Sequence, residues 1–493
     1  MNLCELLQAT DGVLLQGDAR VSVQGLCYDS RAVTPGSLFV CLPGLHTDGH
    51  HYAAQAVAAG AVGLVCERPI PGLPAELPVV QVTHSRRALA QLAIRLYGAP
   101  AHRMTMIGIT GTKGKTTTAH LIASVLRAAG HKVGVIGTNG VCWPGYRQPL
   151  DHTTPESSDL QRLLRQMADA GCDACVMEVS SLGLKMDRVT GIVYDIGVFT
   201  NLSPDHIGPG EHASFAEYRA WKSVLFRRCR VGIVNADDPQ TEAILTQHTC
   251  RVVTYGIDHL ADWRADADLT LLRQSDFLGV QFTATGPDGQ ARSYRLPMPG
   301  RFSVYNALAT LAAAQVLDLS VAAAQTGLQQ AAVEGRVEPV PLQAPFTVVL
   351  DYAHNEAAAE NLLTSLRAYH PNRLWVVFGC GGGRSRVRRF GMGEACARLA
   401  DFCIVTEDNS RGEPLPQILA DIRTGMQRGN PRTPFVEIPD RRQALYYALD
   451  HAGPGDIVAV IGKGHETTLQ RGNETLPFCE RDILQKYMKA RSS

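Results

Sequence analysis

Residues Ile107 to Thr118 read Ile-Gly-Ile-Thr-Gly-Thr-Lys-Gly-Lys-Thr-Thr-Thr, and no other stretch constrains the chain as much. Met104 to Ile109 is apolar and strand-like, and His120 to Ala129 carries the apolar period of a helix. A glycine-rich turn between a strand and a helix start aims backbone N–H groups and the helix dipole at one point, which makes an anion site. Gly111, Thr112, Lys113 and Gly114 form that turn. Lys115 is placed to reach the outer phosphates of a nucleotide and the Thr116 hydroxyl to hold Mg²⁺, with Thr117 beside them. The strict pattern G-x-x-x-x-G-K-[ST] fails, because Ile109 occupies its first glycine position and Gly108 and Gly111 flank it.

The rest of the chain arranges itself around this loop as three α/β units: residues 1–98, 99–335 and 336–493. In the first, Ser37 to Leu42 and Val62 to Cys66 read as strands, with helices over Tyr52 to Gly60 and Ser85 to Tyr97. Gly98-Ala99-Pro100 marks a boundary. In the second, strand-like runs Lys132 to Ile136, Ala174 to Val179 and Ile192 to Thr200 alternate with helical ones, which predicts a parallel sheet with ligands at the strands' carboxyl ends. Thr254 to Leu296 breaks the pattern with short runs and the turn Gly286-Pro287-Asp288-Gly289, and predicts antiparallel structure. In the third, Thr347 to Tyr352, Leu374 to Gly379, Phe402 to Thr406 and Ile457 to Ile461 predict a second doubly wound, Rossmann-like sheet.

Composition narrows the function. Lysine plus arginine equals aspartate plus glutamate at 47 each, so no global field draws the chain to nucleic acid or an anionic membrane. No apolar run reaches a membrane span, and Met1 to Gln8 lacks the pattern of a signal peptide. Thirteen cysteines, scattered and odd in number, fit a reducing cytoplasm. Cys172 and Cys175 are spaced C-x-x-C but lack a second pair, so buried thiols are expected there rather than a metal site.

Several predicted strands end in polar groups. Glu178, in Met177-Glu178-Val179-Ser180-Ser181, is a carboxylate that can hold Mg²⁺ or cap a turn. His206 follows the strand ending at Thr200; alone it reads as a satisfied loop histidine. Lys222 lies in a helical context and by pattern alone is a surface lysine. Asp351-Tyr352-Ala353-His354-Asn355, the glycine- and arginine-rich Gly379 to Arg389, Thr406 to Arg411 and Gly462-Lys463-Gly464-His465-Glu466 each follow a strand of the third unit. Mixed acids and bases at these ends suit a zwitterion such as an amino acid.

Taken together, Thr153-Thr154-Pro155, Met177 to Ser181, Asp351 to Asn355 and Gly462 to Glu466 resemble the Mur ligase family, and the likeness runs from Asp29-Ser30-Arg31 almost to the end. The resemblance implies three α/β domains: one for a UDP sugar, a central ATPase domain, and one for an incoming amino acid. It implies that Tyr28, Ser30 and the loop Leu45 to Thr47, with His46 and Thr47, touch the uridine diphosphate. Thr153, Thr154, Ser180 and Arg188 would hold the muramoyl-dipeptide. Lys115, Thr116, Glu178 and His206 would manage ATP and Mg²⁺, and Lys222 matches the family's carbamylated lysine, whose anionic oxygens would suit a second Mg²⁺. Asn306, Arg336, Asp351 and His354 match positions near the nucleotide. Arg389, Asp408, Asn409, Arg411, Gly462 and Glu466 match the amino-acid pocket. The implied activity is an ATP-dependent amide ligase that adds the third residue to UDP-N-acetylmuramoyl-L-alanyl-D-glutamate through an acyl phosphate, in the cytoplasm and as a monomer.

The chain departs from the family pattern at named places. Lys113 replaces an asparagine, Leu182 stands where a histidine is common, Gly383 and Ser385 replace two acids, and Ser410 replaces the proline before Arg411. In the family's signature this arginine goes with meso-diaminopimelate, whose distal carboxylate it can grip in bidentate fashion, so the resemblance implies that amino acid through Arg411; L-lysine or another amino acid stays open. So do a paralogue acting on a related peptide, a folylpolyglutamate synthetase-like ligase, and a nucleotide-binding switch or scaffold. The first unit, of 98 residues, has no counterpart in the folyl enzyme.

Overall fold

The computed structural model describes residues 1–44, 47–274 and 277–492 of the 493. The chain packs into two compact units, one formed by Met1–Asp262 with Ala309–Ala324 and the other by Trp263–Leu308 with Gln325–Ser493.

The first unit holds two sheets. One has five strands in the order Val13–Gln16, Val79–Gln81, Gly63–Cys66, Ser37–Val40, Gly25–Cys27. Only the edge strand Val13–Gln16 runs antiparallel. Ser37–Val40 and Gly63–Cys66 are buried along their whole length, as strands covered on both faces by helices must be. The helix Ser85–Tyr97 turns its Ala88, Leu89 and Leu92 inward and ends at Gly98, whose φ of +75° places it in the left-handed region. The expected helix from Tyr52 is shorter and is entered by a 3₁₀ turn, Gly49–Tyr52, before Ala53–Ala58.

The second sheet carries the glycine loop. Its parallel part runs Arg251–Gly256, Cys229–Asn235, Tyr194–Phe199, Thr105–Thr110, Ala174–Glu178, Val133–Gly137. The hairpin strands Gly140–Trp143 and Tyr146–Gln148 extend it beyond Val133–Gly137. Thr105–Thr110 is central, with Phe199 paired to Thr110 on one side and Glu178 to Ile109 on the other. Three polar strand ends therefore meet at one edge of the sheet. The helix after the loop starts at Lys115, earlier than its apolar period shows, and runs to Ala128.

In the other unit, Trp263–Ala265, Thr270–Gln274, Phe277–Thr285 and Ala291–Leu296 pair antiparallel, as the alternating runs and the Gly286–Gly289 turn predict. A six-stranded sheet follows in the order Glu338–Val340, Thr347–Asp351, Ile457–Ile461, Leu374–Phe378, Phe402–Val405, Phe435–Glu437. Its first strand is antiparallel and the rest are parallel, giving the expected Rossmann-like layer with an apolar core on each face. Among the described residues no helix is long and apolar enough to cross a membrane. Cys172 and Cys175 are buried thiols, and burial pushes the titration of both upward, which makes them unreactive.

Candidate active site

The glycine loop is held by the neighbouring strand end. Thr112 N–H donates to the Asn201 carbonyl at 2.8 Å and Lys113 N–H to Asn201 Oδ1 at 2.9 Å. Thr200 Oγ1 and Asn201 Nδ2 both donate to the Lys113 carbonyl, at 2.7 and 3.0 Å. Gly111 lies at φ +145°, and a Cβ there would come within 2.0 Å of Thr200 Oγ1, so a side chain cannot occupy this position while the strand end grips the loop. The loop is thus fixed in shape before any ligand arrives. Lys115 Nζ folds over it, donating to the Gly111 and Thr112 carbonyls at 3.0 Å each. Lys113 Nζ faces Asp205 Oδ2 at 3.5 Å.

Beside the helix start, Glu178 is buried. Its Oε1 accepts from Thr116 Oγ1 at 2.9 Å and from Thr138 N–H at 2.8 Å, and its Oε2 from Thr138 Oγ1 at 3.2 Å. A carboxylate next to a hydroxyl oxygen, both sheltered from bulk water, offers the hard oxygen donors that Mg²⁺ selects. These residues fit that ion. His206 stands differently: it is half-exposed, at φ +53°, with Nδ1 2.9 Å from Glu211 Oε1.

Lys222 is not on the surface. The helix Phe215–Ser223 turns it inward, where only 2% of it is exposed. Its Nζ donates to the Gly111 carbonyl at 2.8 Å and lies 4.6 Å from the centre of the Tyr218 ring. Burial, reinforced by the charge of Lys115, holds its pKa well below the ordinary lysine value. Helical periodicity placed this side chain outside; packing against the loop and Tyr218 places it inside.

The residues expected to hold a muramoyl-peptide form one cluster on the same strand ends. Thr154 Oγ1 donates to the Glu178 carbonyl at 3.0 Å and accepts from Ser180 N–H at 3.0 Å. Ser180 Oγ caps Gly183 N–H at 3.0 Å. Thr153 Oγ1 lies 3.2 Å from Thr138 Oγ1. Arg188 donates to the Thr154 carbonyl at 3.0 Å and to Glu156 Oε1 at 2.9 Å, and Arg86 also reaches Glu156, at 3.2 Å. Of the uridine set, Tyr28 donates its hydroxyl to Asp159 Oδ2 at 2.7 Å, Ser30 donates to Gln55 Oε1 at 3.1 Å, and Thr47 is exposed. Leu45 and His46 lie outside the described residues.

The other unit gathers the remaining candidates. Buried Asp351 accepts from Val337 N–H at 2.8 Å and Ala353 N–H at 2.7 Å, and burial raises its pKa against the pull of Arg336. Arg336 stacks over the Tyr352 ring at 4.7 Å, and His354 Nδ1 lies 2.9 Å from the Tyr352 carbonyl. Asn306 is buried in the helix Arg301–Val316. Arg389 is fully buried and bound to Glu413 at 2.7 Å and Asp421 at 3.1 Å. Arg411, at φ +52°, donates Nη1 to the Gly382 carbonyl at 2.6 Å. Asp408, Asn409, Gly462 and Glu466 converge on one another, with Asn409 Nδ2 donating to Glu466 Oε2 at 2.9 Å.

Three supporting residues escape motif reading. Asn201 directly follows the strand ending at Thr200, yet nothing in the sequence marks it as the clamp on the loop. Thr138 carries no signal at all; it reaches Glu178 because Ile136 pairs with Met177 in the sheet. Glu156 follows Thr153-Thr154-Pro155, and only the fold shows it binding two arginines.

Family models match three stretches: "Mur ligase family, catalytic domain" over residues 22–97, "Mur ligase middle domain" over 109–314 and "Mur ligase, glutamate ligase domain" over 335–464. The UDP-N-acetylmuramoyl-L-alanyl-D-glutamate--2,6-diaminopimelate ligase of Geobacillus thermodenitrificans is 40% identical over 503 residues, covering 100% of both chains. The protein of the same name from Caldanaerobacter subterraneus is 38% identical over 99% of each. A solved structure bearing that name aligns over 100% of both chains with a TM-score of 0.70 and 28% identity.

Proposed function

The chain belongs to the Mur ligase family, and we propose that it is the ATP-dependent ligase that joins meso-diaminopimelate to UDP-N-acetylmuramoyl-L-alanyl-D-glutamate in peptidoglycan precursor synthesis. The observation that carries this is the rigid loop Gly111–Gly114, linked through Thr116 Oγ1 to the Glu178 carboxylate at 2.9 Å on the same strand edge as Thr153, Thr154, Ser180 and Arg188. A phosphate site and a peptide site side by side serve a reaction that phosphorylates a carboxylate. We set the three domains at residues 1–98, 99–335 and 336–493, for the UDP sugar, ATP and the amino acid, and place the enzyme in the cytoplasm as a monomer.

ATP lies with its phosphates on the loop N–H groups and Lys115, whose charge opposes the negative charge gathering on the phosphoryl oxygens. A carboxylate of the muramoyl-dipeptide attacks the γ-phosphorus in line, and ADP leaves. The resulting acyl phosphate is attacked by the amine of diaminopimelate; phosphate departs, the amine loses a proton, and an amide bond remains. Thr116, Glu178, His206 and Lys222, the last as a carbamate, would hold Mg²⁺, which neutralises phosphate charge when bound. The lowered pKa of Lys222, which follows from its burial, favours the neutral amine that carbamate formation with CO₂ needs. Asn306, Arg336, Asp351 and His354 serve the nucleotide, Asp408, Asn409, Arg411, Gly462 and Glu466 the amino acid, and Arg389, buried between Glu413 and Asp421, braces that pocket from within. Holding both reactants in place accounts for about 7–11 kcal/mol of the barrier where alignment is good.

The test is ADP release with UDP-N-acetylmuramoyl-dipeptide and single amino acids. Turnover with diaminopimelate is expected. Turnover only with a folate and glutamate, turnover without an amine, or none at all would point instead to a folyl ligase, a nucleotide switch or a scaffold.

A further inference from the structure

Lys463, in the stretch that closes the strand Ile457–Ile461, is fully buried. Its Nζ donates to Glu466 Oε2 at 2.9 Å and to Asn409 Oδ1 at 3.3 Å, and Asp408 Oδ1 lies 3.9 Å away. Asn409 Nδ2 donates to the same Glu466 Oε2 at 2.9 Å, so Lys463, Asn409 and Glu466 close a ring in which each side chain bonds the other two. Gln470 N–H donates to Asn409 Oδ1 at 2.9 Å and ties the ring to the strand Thr468–Arg471. The chain reaches this place through Gly462, at φ +112°, where a Cβ would come within 2.8 Å of Asp408 Oδ2.

We propose that Lys463 is a positioning residue for the incoming amino acid. Being buried, it does not touch the ligand; it fixes Oε2 of Glu466 and the side-chain carbonyl of Asn409, so that Glu466 offers Oε1 to the ligand's ammonium. The inference rests on the reading of Asn409 and Glu466 as amino-acid ligands. A buried ammonium is tolerated only where acceptors meet its protons, so the places of both acceptors are tied to it. Charge and position make opposite predictions. Removing a positive charge beside Asp408 and Glu466 leaves the pocket more negative, which by itself would tighten ammonium binding. Losing the ring frees the carboxylate to turn away and weakens it.

The experiment is steady-state kinetics of Lys463→Met, Glu466→Gln and the double variant, using whichever amino acid the wild type turns over; that choice of amino acid tests the function, and the variants test Lys463. For Lys463→Met, KM for the amino acid is expected to rise about tenfold or more, as for loss of hydrogen bonds to a charged group. The KM values for ATP and the UDP-sugar peptide should stay put, and the double variant should be no worse than the poorer single one. An unchanged or lower amino-acid KM, or additive effects, would overturn the proposal. If Lys463→Met does not fold, Lys463→Leu, which likewise carries no donor, is read the same way: a raised amino-acid KM supports the proposal and a wild-type value overturns it.

Discussion

Lys115 and Lys222 donate to one and the same backbone oxygen, the carbonyl of Gly111, at 3.0 and 2.8 Å. Two ammonium groups on one acceptor repel each other, and the buried one, Lys222, loses its proton more easily. The loop therefore joins a cation proposed to meet phosphate to an amine that gives up its proton more readily than an ordinary lysine. Its behaviour can be tested from both sides.

Lys115→Ala should lower ADP formation by about two to three orders of magnitude or more, the scale of removing a preorganised charge-stabilising donor. The loop is held by Thr200 and Asn201 independently of Lys115, so thermal stability should change little. Near-wild-type turnover would refute the phosphate assignment.

Lys222 sets a sign for pH dependence. Its pKa is lowered in the folded chain, so between that value and the ordinary lysine value the unfolded chain binds the extra proton. Stability contributed at this position is complete above the ordinary lysine pKa and is lost as pH falls toward the folded one. The melting temperature of the unmodified wild type, relative to Lys222→Met, should therefore rise between neutral pH and about pH 10. A flat or falling difference, measured in CO₂-free buffer, would contradict the burial argument.

Arg411→Ala should raise KM for diaminopimelate by roughly ten- to a hundredfold, the range for a bidentate guanidinium–carboxylate contact, and leave KM for ATP unchanged. An unaltered amino-acid profile would remove Arg411 from the pocket.

Arg441 and Glu480 form an ion pair at 2.7 Å with both side chains fully buried. Arg441 also donates to the Glu407 and Ile461 carbonyls, which tie the final helix Glu480–Ser492 to the strand ends of the proposed amino-acid site. Glu480→Leu leaves a buried guanidinium without its carboxylate and should cost about 3–5 kcal/mol in chemical denaturation. A loss within about 0.5 kcal/mol, the range of ordinary surface changes, would show that the pair is dispensable.

Most of the architecture was legible because its signals are local. Apolar runs ending in polar residues marked the parallel strands, and the glycine loop marked the one that precedes it. What local signals could not give is which strand ends are neighbours. Glu178 and Thr200 flank the loop because Ala174–Glu178 and Tyr194–Phe199 are the two strands paired with Thr105–Thr110, a fact of register and not of spacing in the sequence.

The sequence by itself determined that a glycine-rich loop sits between an apolar strand and a helix, that polar groups cluster at several strand ends, and that the chain resembles one family. Tertiary structure alone decided that Lys222 is buried with a depressed pKa, that Thr138 and Asn201 brace the loop and its carboxylate, and that Lys463 closes a ring with Asn409 and Glu466. The physical reason is that a side chain's type fixes what bonds it can make, whereas its burial and its partners depend on residues far along the chain that only the folded sheet brings within 3 or 4 Å.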